Sequence, residues 1–109
     1  MLYIDEEQNI ELTRGDTGFF TIDLKDNKGK PYTPQTGDTL RFAMSKSFGS
    51  NEPLILKQIP ISTLVLEIEP QDTASLNFGK YVYDIEFTDA AGHVSTIILG
   101  NFTITKEVH

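Results

Sequence analysis

Strict alternation of apolar and polar residues is the feature that most limits what this chain can fold into. It runs through Phe20-Thr21-Ile22-Asp23-Leu24, Leu40-Arg41-Phe42-Ala43-Met44, Leu64-Val65-Leu66-Glu67-Ile68-Glu69 and Tyr81-Val82-Tyr83-Asp84-Ile85-Glu86-Phe87. Successive side chains of a strand point to opposite sides, so each segment presents one apolar and one wetter face. The β-branched and aromatic residues that fill these segments suit a pleated, half-buried surface. Further strands are expected at Val94 to Leu99 and Asn101 to Val108, with weaker signals at Ile10 to Thr13 and Leu54 to Gln58.

Turn signals separate the strands. Asp26-Asn27-Lys28-Gly29 and Asp89-Ala90-Ala91-Gly92 each set an acid and a glycine around a tight reversal. Gly15, Gly37-Asp38 and Ser47 to Asn51 mark other connections. One short helical turn is expected at Pro70 to Leu76, with Asp72 as its cap and Gly79 as its end. Residues 20–33 also align without gaps with residues 83–96, with an aromatic, Ile, an acid, Asp, Gly and Thr at matching places. This reads as shared hairpin grammar, strand then turn then returning strand; the sharper alternative is two related hairpins placed symmetrically. Short strands at this spacing predict an antiparallel β-sandwich of seven to nine strands, with a small closed barrel as the competitor.

A chain of 109 residues suits one domain, 1–109, and is long enough to bury a core without disulfides or metal. It has no cysteine, which rules out disulfides and Cys-ligated metal. Sixteen acidic residues against nine basic give a net charge of −7 and argue against nucleic acid as a partner. No apolar run approaches the length of a membrane helix, and the N-terminus lacks signal-peptide character, so no membrane insertion and cytoplasmic synthesis are expected.

Catalytic chemistry finds little to work with. His93 sits in a hairpin tip and His109 is the final residue; neither has an obvious orienting partner. Asp23, Asp84, Glu86, Glu67 and Glu69 alternate with apolar residues and are expected on wet strand faces, not around calcium. Arg14-Gly15-Asp16 matches an adhesion tripeptide but reads as a turn between strands, and Asn101-Phe102-Thr103 matches a glycosylation acceptor inside a strand. No catalytic, cofactor-binding or metal-binding residue is assigned. The aromatics Phe19, Phe20, Phe42, Phe78, Tyr81, Tyr83, Phe87 and Phe102 are expected mostly in the core. Tyr3, Tyr32 and Phe48 lie outside the strong strands and are the candidate contact residues.

Two blocks carry a family resemblance. The first is Leu12-Thr13-Arg14-Gly15-Asp16-Thr17-Gly18-Phe19-Phe20-Thr21-Ile22 with Gly29-Lys30-Pro31-Tyr32 and Leu40-Arg41-Phe42. The second is Asp72-Thr73-Ala74-Ser75-Leu76 with Gly79-Lys80-Tyr81-Val82-Tyr83-Asp84-Ile85, Asp89 to Gly92 and Ser95-Thr96. Together they resemble small tail-module proteins of phages and prophages of Gram-positive bacteria, and are similar to the N-terminal domain of phage baseplate upper proteins. The resemblance implies an immunoglobulin-like sandwich, made in the host cytoplasm, that joins a virion through contacts with other virion proteins or by self-association. It carries no active-site motif. The long C-terminal region of the larger relatives has no counterpart before His109, so the expectation is the virion-structural class and not a specific baseplate role. The alternative from another class is a carbohydrate-binding or host-adhesion module using Tyr32 with Phe48.

Overall fold

The computed structural model describes residues 2–4, 8–26 and 28–106, the first of these segments by its backbone alone. These residues form an all-β, sandwich-like fold. In chain order the strands are β1 (Leu2–Ile4), β2 (Ile10–Thr13), β3 (Gly18–Thr21), β4 (Thr39–Ser45), β5 (Ile55–Ile59) and β6 (Val65–Ile68). A short helix α1 (Pro70–Thr73) precedes β7 (Gly79–Thr88) and β8 (Val94–Thr105). Six strands make one sheet in the order β1-β2-β8-β7-β4-β5, and β3 pairs with β6 in a second, smaller sheet.

The core lies between the two sheets. Leu40, Phe42 and Met44 of β4, Tyr81, Tyr83 and Ile85 of β7, and Ile98, Phe102 and Ile104 of β8 point inward to meet Phe20, Leu66 and Ile68 of the small sheet. Phe42, Tyr83 and Phe102 form an aromatic cluster with centroids 5.6 to 6.4 Å apart. The alternation in the sequence therefore places the buried side chains correctly along β4, β6 and β7.

Several expectations are corrected. The sheet is not purely antiparallel, because β2 runs parallel to β8, pairing Ile10 with Phe102 and Thr13 with Thr105. Residues 14–93 serve as the crossover that a parallel pair requires. The segment Phe20 to Leu24 keeps its alternating burial, yet β3 stops at Thr21. The cause lies in its partner: Leu64 is not in β6 but adopts φ 55°, where its carbonyl takes the Ile22 N–H. Leu24 instead gives its carbonyl to the Tyr32 N–H of its own hairpin.

The two strands expected on either side of Gly100 are one strand, β8. The irregularity falls at Ile97 instead, an unpaired residue where the β7 register shifts between Ile85 and Glu86. Gly100 stays in the ladder opposite Tyr83, whose ring lies where a Cβ on Gly100 would reach and whose hydroxyl donates to the Gln8 carbonyl. The end expected at Val108 lies outside the described residues. In α1 the cap is Glu69, not Asp72. Asp72 is the third helical residue, and its carboxylate reaches back to the Glu69 N–H at 2.7 Å. Pro70 opens the helix, which ends at Thr73, well before Gly79.

The repeated segments build the same turn. Asp26 Oδ1 accepts the N–H groups of Lys28 and Lys30 at 2.9 and 3.0 Å, and Asp89 Oδ1 accepts those of Ala91 and His93, both at 2.9 Å. Gly29 at φ +79° and Gly92 at φ +91° each donate to the carbonyl of their aspartate. The shared turn chemistry is thus visible atom by atom, and the Tyr32 ring, 5.6 Å from that of Phe87, sets the two hairpins side by side.

Candidate functional site

The second sheet packs on the inner face of the large sheet, and outer-face residues such as Leu56 and Leu99 are exposed. The composition of this outer face follows from register. One row across the strands reads Leu56, Ala43, Asp84, Leu99, and the next reads Gln58, Arg41, Glu86, Thr96. Arg41 thus lies directly opposite Glu86 and diagonal to Asp84, within reach of both. Its Nη2 is 3.0 Å from Glu86 Oε2 and 3.3 Å from Asp84 Oδ1. All three side chains are about one-third exposed, so the network adds little to stability but stays open to an incoming group. Leu56 and Leu99 flank it at 59% and 56% exposure.

At the far end of β4 the loop of residues 46–54 rises beside this face. Gly49 turns the chain at φ +82°, the Ser50 N–H bonds the Ser47 carbonyl, and the Leu54 N–H returns to the Met44 carbonyl at 2.7 Å. Phe48 is left at the loop tip, 58% exposed. Loop and sheet enclose a trough of about 160 Å³, floored by Ala43, Ser45 and Val82, with Arg41 and Asp84 at one end and Phe48 on the wall.

The other end of β4 holds a second cluster, which is internal. Asp38 is 4% exposed. Its Oδ2 accepts the Gln35 N–H and the Tyr32 hydroxyl, both at 2.7 Å, and its Oδ1 accepts the Ala90 N–H at 3.1 Å. These donors, the Gln35 N–H foremost, hold the Asp38 carboxyl below its ordinary 3.8, and the bond to Asp38 raises the Tyr32 hydroxyl above its ordinary 10.0. Asp89 is lowered similarly, first by the His93 N–H. A lowered folded value means that the unfolded chain binds the proton more tightly. The stabilisation is therefore complete above the unfolded value and is lost as pH falls through the folded one. Asp38→Ala should lower the thermal midpoint more than Asp26→Ala, whose bonds are local and exposed. It should also flatten the loss of stability below about pH 4, as thermal denaturation across pH would show.

Of the candidate contact residues, Phe48 is displayed to solvent. Tyr32 is half-buried, its hydroxyl committed to Asp38 and its ring to Phe87. Seven residues of β4, roughly 20 Å of strand, separate the Asp38 cluster from the Phe48 loop, so Tyr32 and Phe48 share no platform. The side chain of Tyr3 lies outside the described residues; its backbone pairs with Glu11. Phe19 and Phe78, expected in the core, are exposed.

The Arg14-Gly15-Asp16 turn is committed to the α1–β7 segment. The Gly15 N–H donates to the hydroxyl of fully buried Thr73 at 2.8 Å, and the Arg14 guanidinium lies 4.1 Å over the Phe78 ring and donates to the Leu76 carbonyl. Lys57 of β5 meets Asp72 of α1 at 2.6 Å. His93 is exposed, 3.0 Å from Asp89, and His109 lies outside the described residues. Asn101 sits in β8, where its N–H donates to the Asn9 side chain. Asp23 and Glu67 are exposed, as expected. Among the described residues no three His, Cys, Asp or Glu side chains gather as a metal site would require, and no helix is long and apolar enough to cross a membrane.

Comparison with family models and with curated proteins returns no match for this chain. The Arg41 network was missed by sequence reasoning. Arg41, Asp84 and Glu86 each lie on the outer phase of their strands, but the register that joins β4 to β7 is not written in either segment.

Proposed function

We propose that this protein is a non-enzymatic structural component of a phage or prophage virion, a tail or baseplate module that works through protein–protein contacts. The immunoglobulin-like reading of the sandwich belongs to the same proposal. The observation that carries it is the outer face of the large sheet: Leu56 and Leu99 exposed around a central Arg41–Asp84–Glu86 network. Exposed leucines beside an arginine, a residue enriched at interfaces, give this face the means to form a protein contact. The resemblance of the two sequence blocks to tail-module proteins suggests the kind of assembly, and neighbouring virion proteins are the partners that fit.

The test uses particles released from the strain that encodes the chain. Mass spectrometry should find the chain in purified virions at several copies per particle. A Leu56→Arg, Leu99→Arg double variant should keep the wild-type thermal midpoint, since both side chains are exposed, but enter particles at least about tenfold less. A chain absent from particles yet abundant in the lysate overturns the virion role, and a double variant packaged like wild type overturns the outer face as the contact.

A further inference from the structure

The trough beside the 46–54 loop shares Arg41 and Asp84 with the outer-face network but has a chemistry of its own on its loop side. We propose that it binds a single neutral saccharide ring. Phe48 offers an exposed aromatic face at the rim, the surface on which the C–H face of a pyranose packs. Arg41 and Asp84 stand at the opposite end, a planar donor and a planar acceptor side by side. Both ion pairs of Arg41 use Nη2, which leaves Nη1 and Nε as further donors beside the trough, and the Asp84 carboxylate keeps lone pairs for a hydroxyl. Adjacent hydroxyls of a sugar match that pairing, and Ser45, Ser47 and Ser50 are among the other residues that line the trough.

Charge and size narrow the ligand further. An anion is disfavoured because Arg41 is already shared by two carboxylates on a chain of net charge −7. A metal cation is disfavoured because the guanidinium stands within 3.3 Å of both acids. A polar, uncharged molecule with one apolar face remains. The trough, about 160 Å³, has room for a ligand the size of one hexose ring.

The test is an amide-shift titration of isotopically labelled full chain with glucose, galactose, rhamnose and N-acetylglucosamine, each separately. A ring making so few contacts should bind at about millimolar strength. At least one sugar should give saturable shifts confined to Arg41, Ala43, Val82, Asp84 and the loop around Phe48. Phe48→Ala and Asp84→Asn should each weaken binding at least about tenfold while leaving the rest of the spectrum unchanged, which separates loss of binding from loss of fold. No saturable shift with any of the four sugars, shifts elsewhere on the surface, or undiminished affinity in Phe48→Ala overturns the proposal. So does a trough that responds to an extended peptide and to none of the sugars. None of these results touches the packaging experiment, so the two readings fail separately.

Discussion

Ile85→Asp should cost more than about 4 kcal/mol, which for a domain of ordinary stability leaves it close to unfolded. Ile85 is fully buried in β7, between Phe42 of β4 and Ile98 of β8. An aspartate there loses the transfer energy of the aliphatic side chain, about 2 to 3 kcal/mol, and places a charge where none of the cross-strand neighbours can pair with it. The neighbouring Asp84→Ala should change stability by less than about 1 kcal/mol, because Asp84 sits on the outer face in a partly exposed ion pair. Urea denaturation of the two variants reads the difference. Equal losses would mean that the facing of β7 is wrong.

The second large effect is expected at Gly100. Its backbone is not in the left-handed region; the constraint is space. A Cβ there would collide with the Gln8 carbonyl and stand 2.8 Å from Cε1 of Tyr83. Gly100→Ala forces the Tyr83 ring, packed against Phe42 and Phe102, away from β8 and weakens its hydroxyl bond to Gln8. Overpacking of this kind plus one strained hydrogen bond should cost about 3 kcal/mol. Gly92→Ala is the instructive contrast. At φ +91° with nothing within 4 Å of the added carbon, it meets only the backbone penalty of about 1 to 2 kcal/mol. Thermal denaturation should therefore rank Gly100→Ala well below Gly92→Ala.

These two sites also show where the sequence is legible. Ile85 is readable because burial in a strand is a period-two property that a single segment carries, and the same holds for Phe42, Leu66 and Phe102. The Asp26 and Asp89 turns are readable for a similar reason, since all their bonds close within five residues. Gly100 misleads: glycine reads as a strand breaker unless the ring that lies across it is known, and Tyr83 is seventeen residues away in sequence. Asp38 looks like a turn residue, and its bonds to Gln35 and Tyr32 are local, but it also accepts the Ala90 N–H, 52 positions on. The Lys57–Asp72 pair, the parallel β2–β8 ladder and the Arg41 network share that character. Each depends on the register of elements that local pattern leaves free to slide. Tyr32 illustrates the cost for function, because a tyrosine outside the strands reads as a contact residue until its hydroxyl finds Asp38.

The most direct check on the central claim, that the chain folds as two faces with only one of them shut away, is methyl relaxation in the presence of a soluble paramagnetic probe. Ile98 and Leu99 are consecutive in β8, and Ile55 and Leu56 consecutive in β5, yet the first of each pair is buried and the second exposed. The methyl signals of Leu56 and Leu99 should broaden steeply with added probe while those of Ile55 and Ile98 persist. Equal broadening within each pair, or the reverse order, would contradict the sandwich and everything built on its outer face.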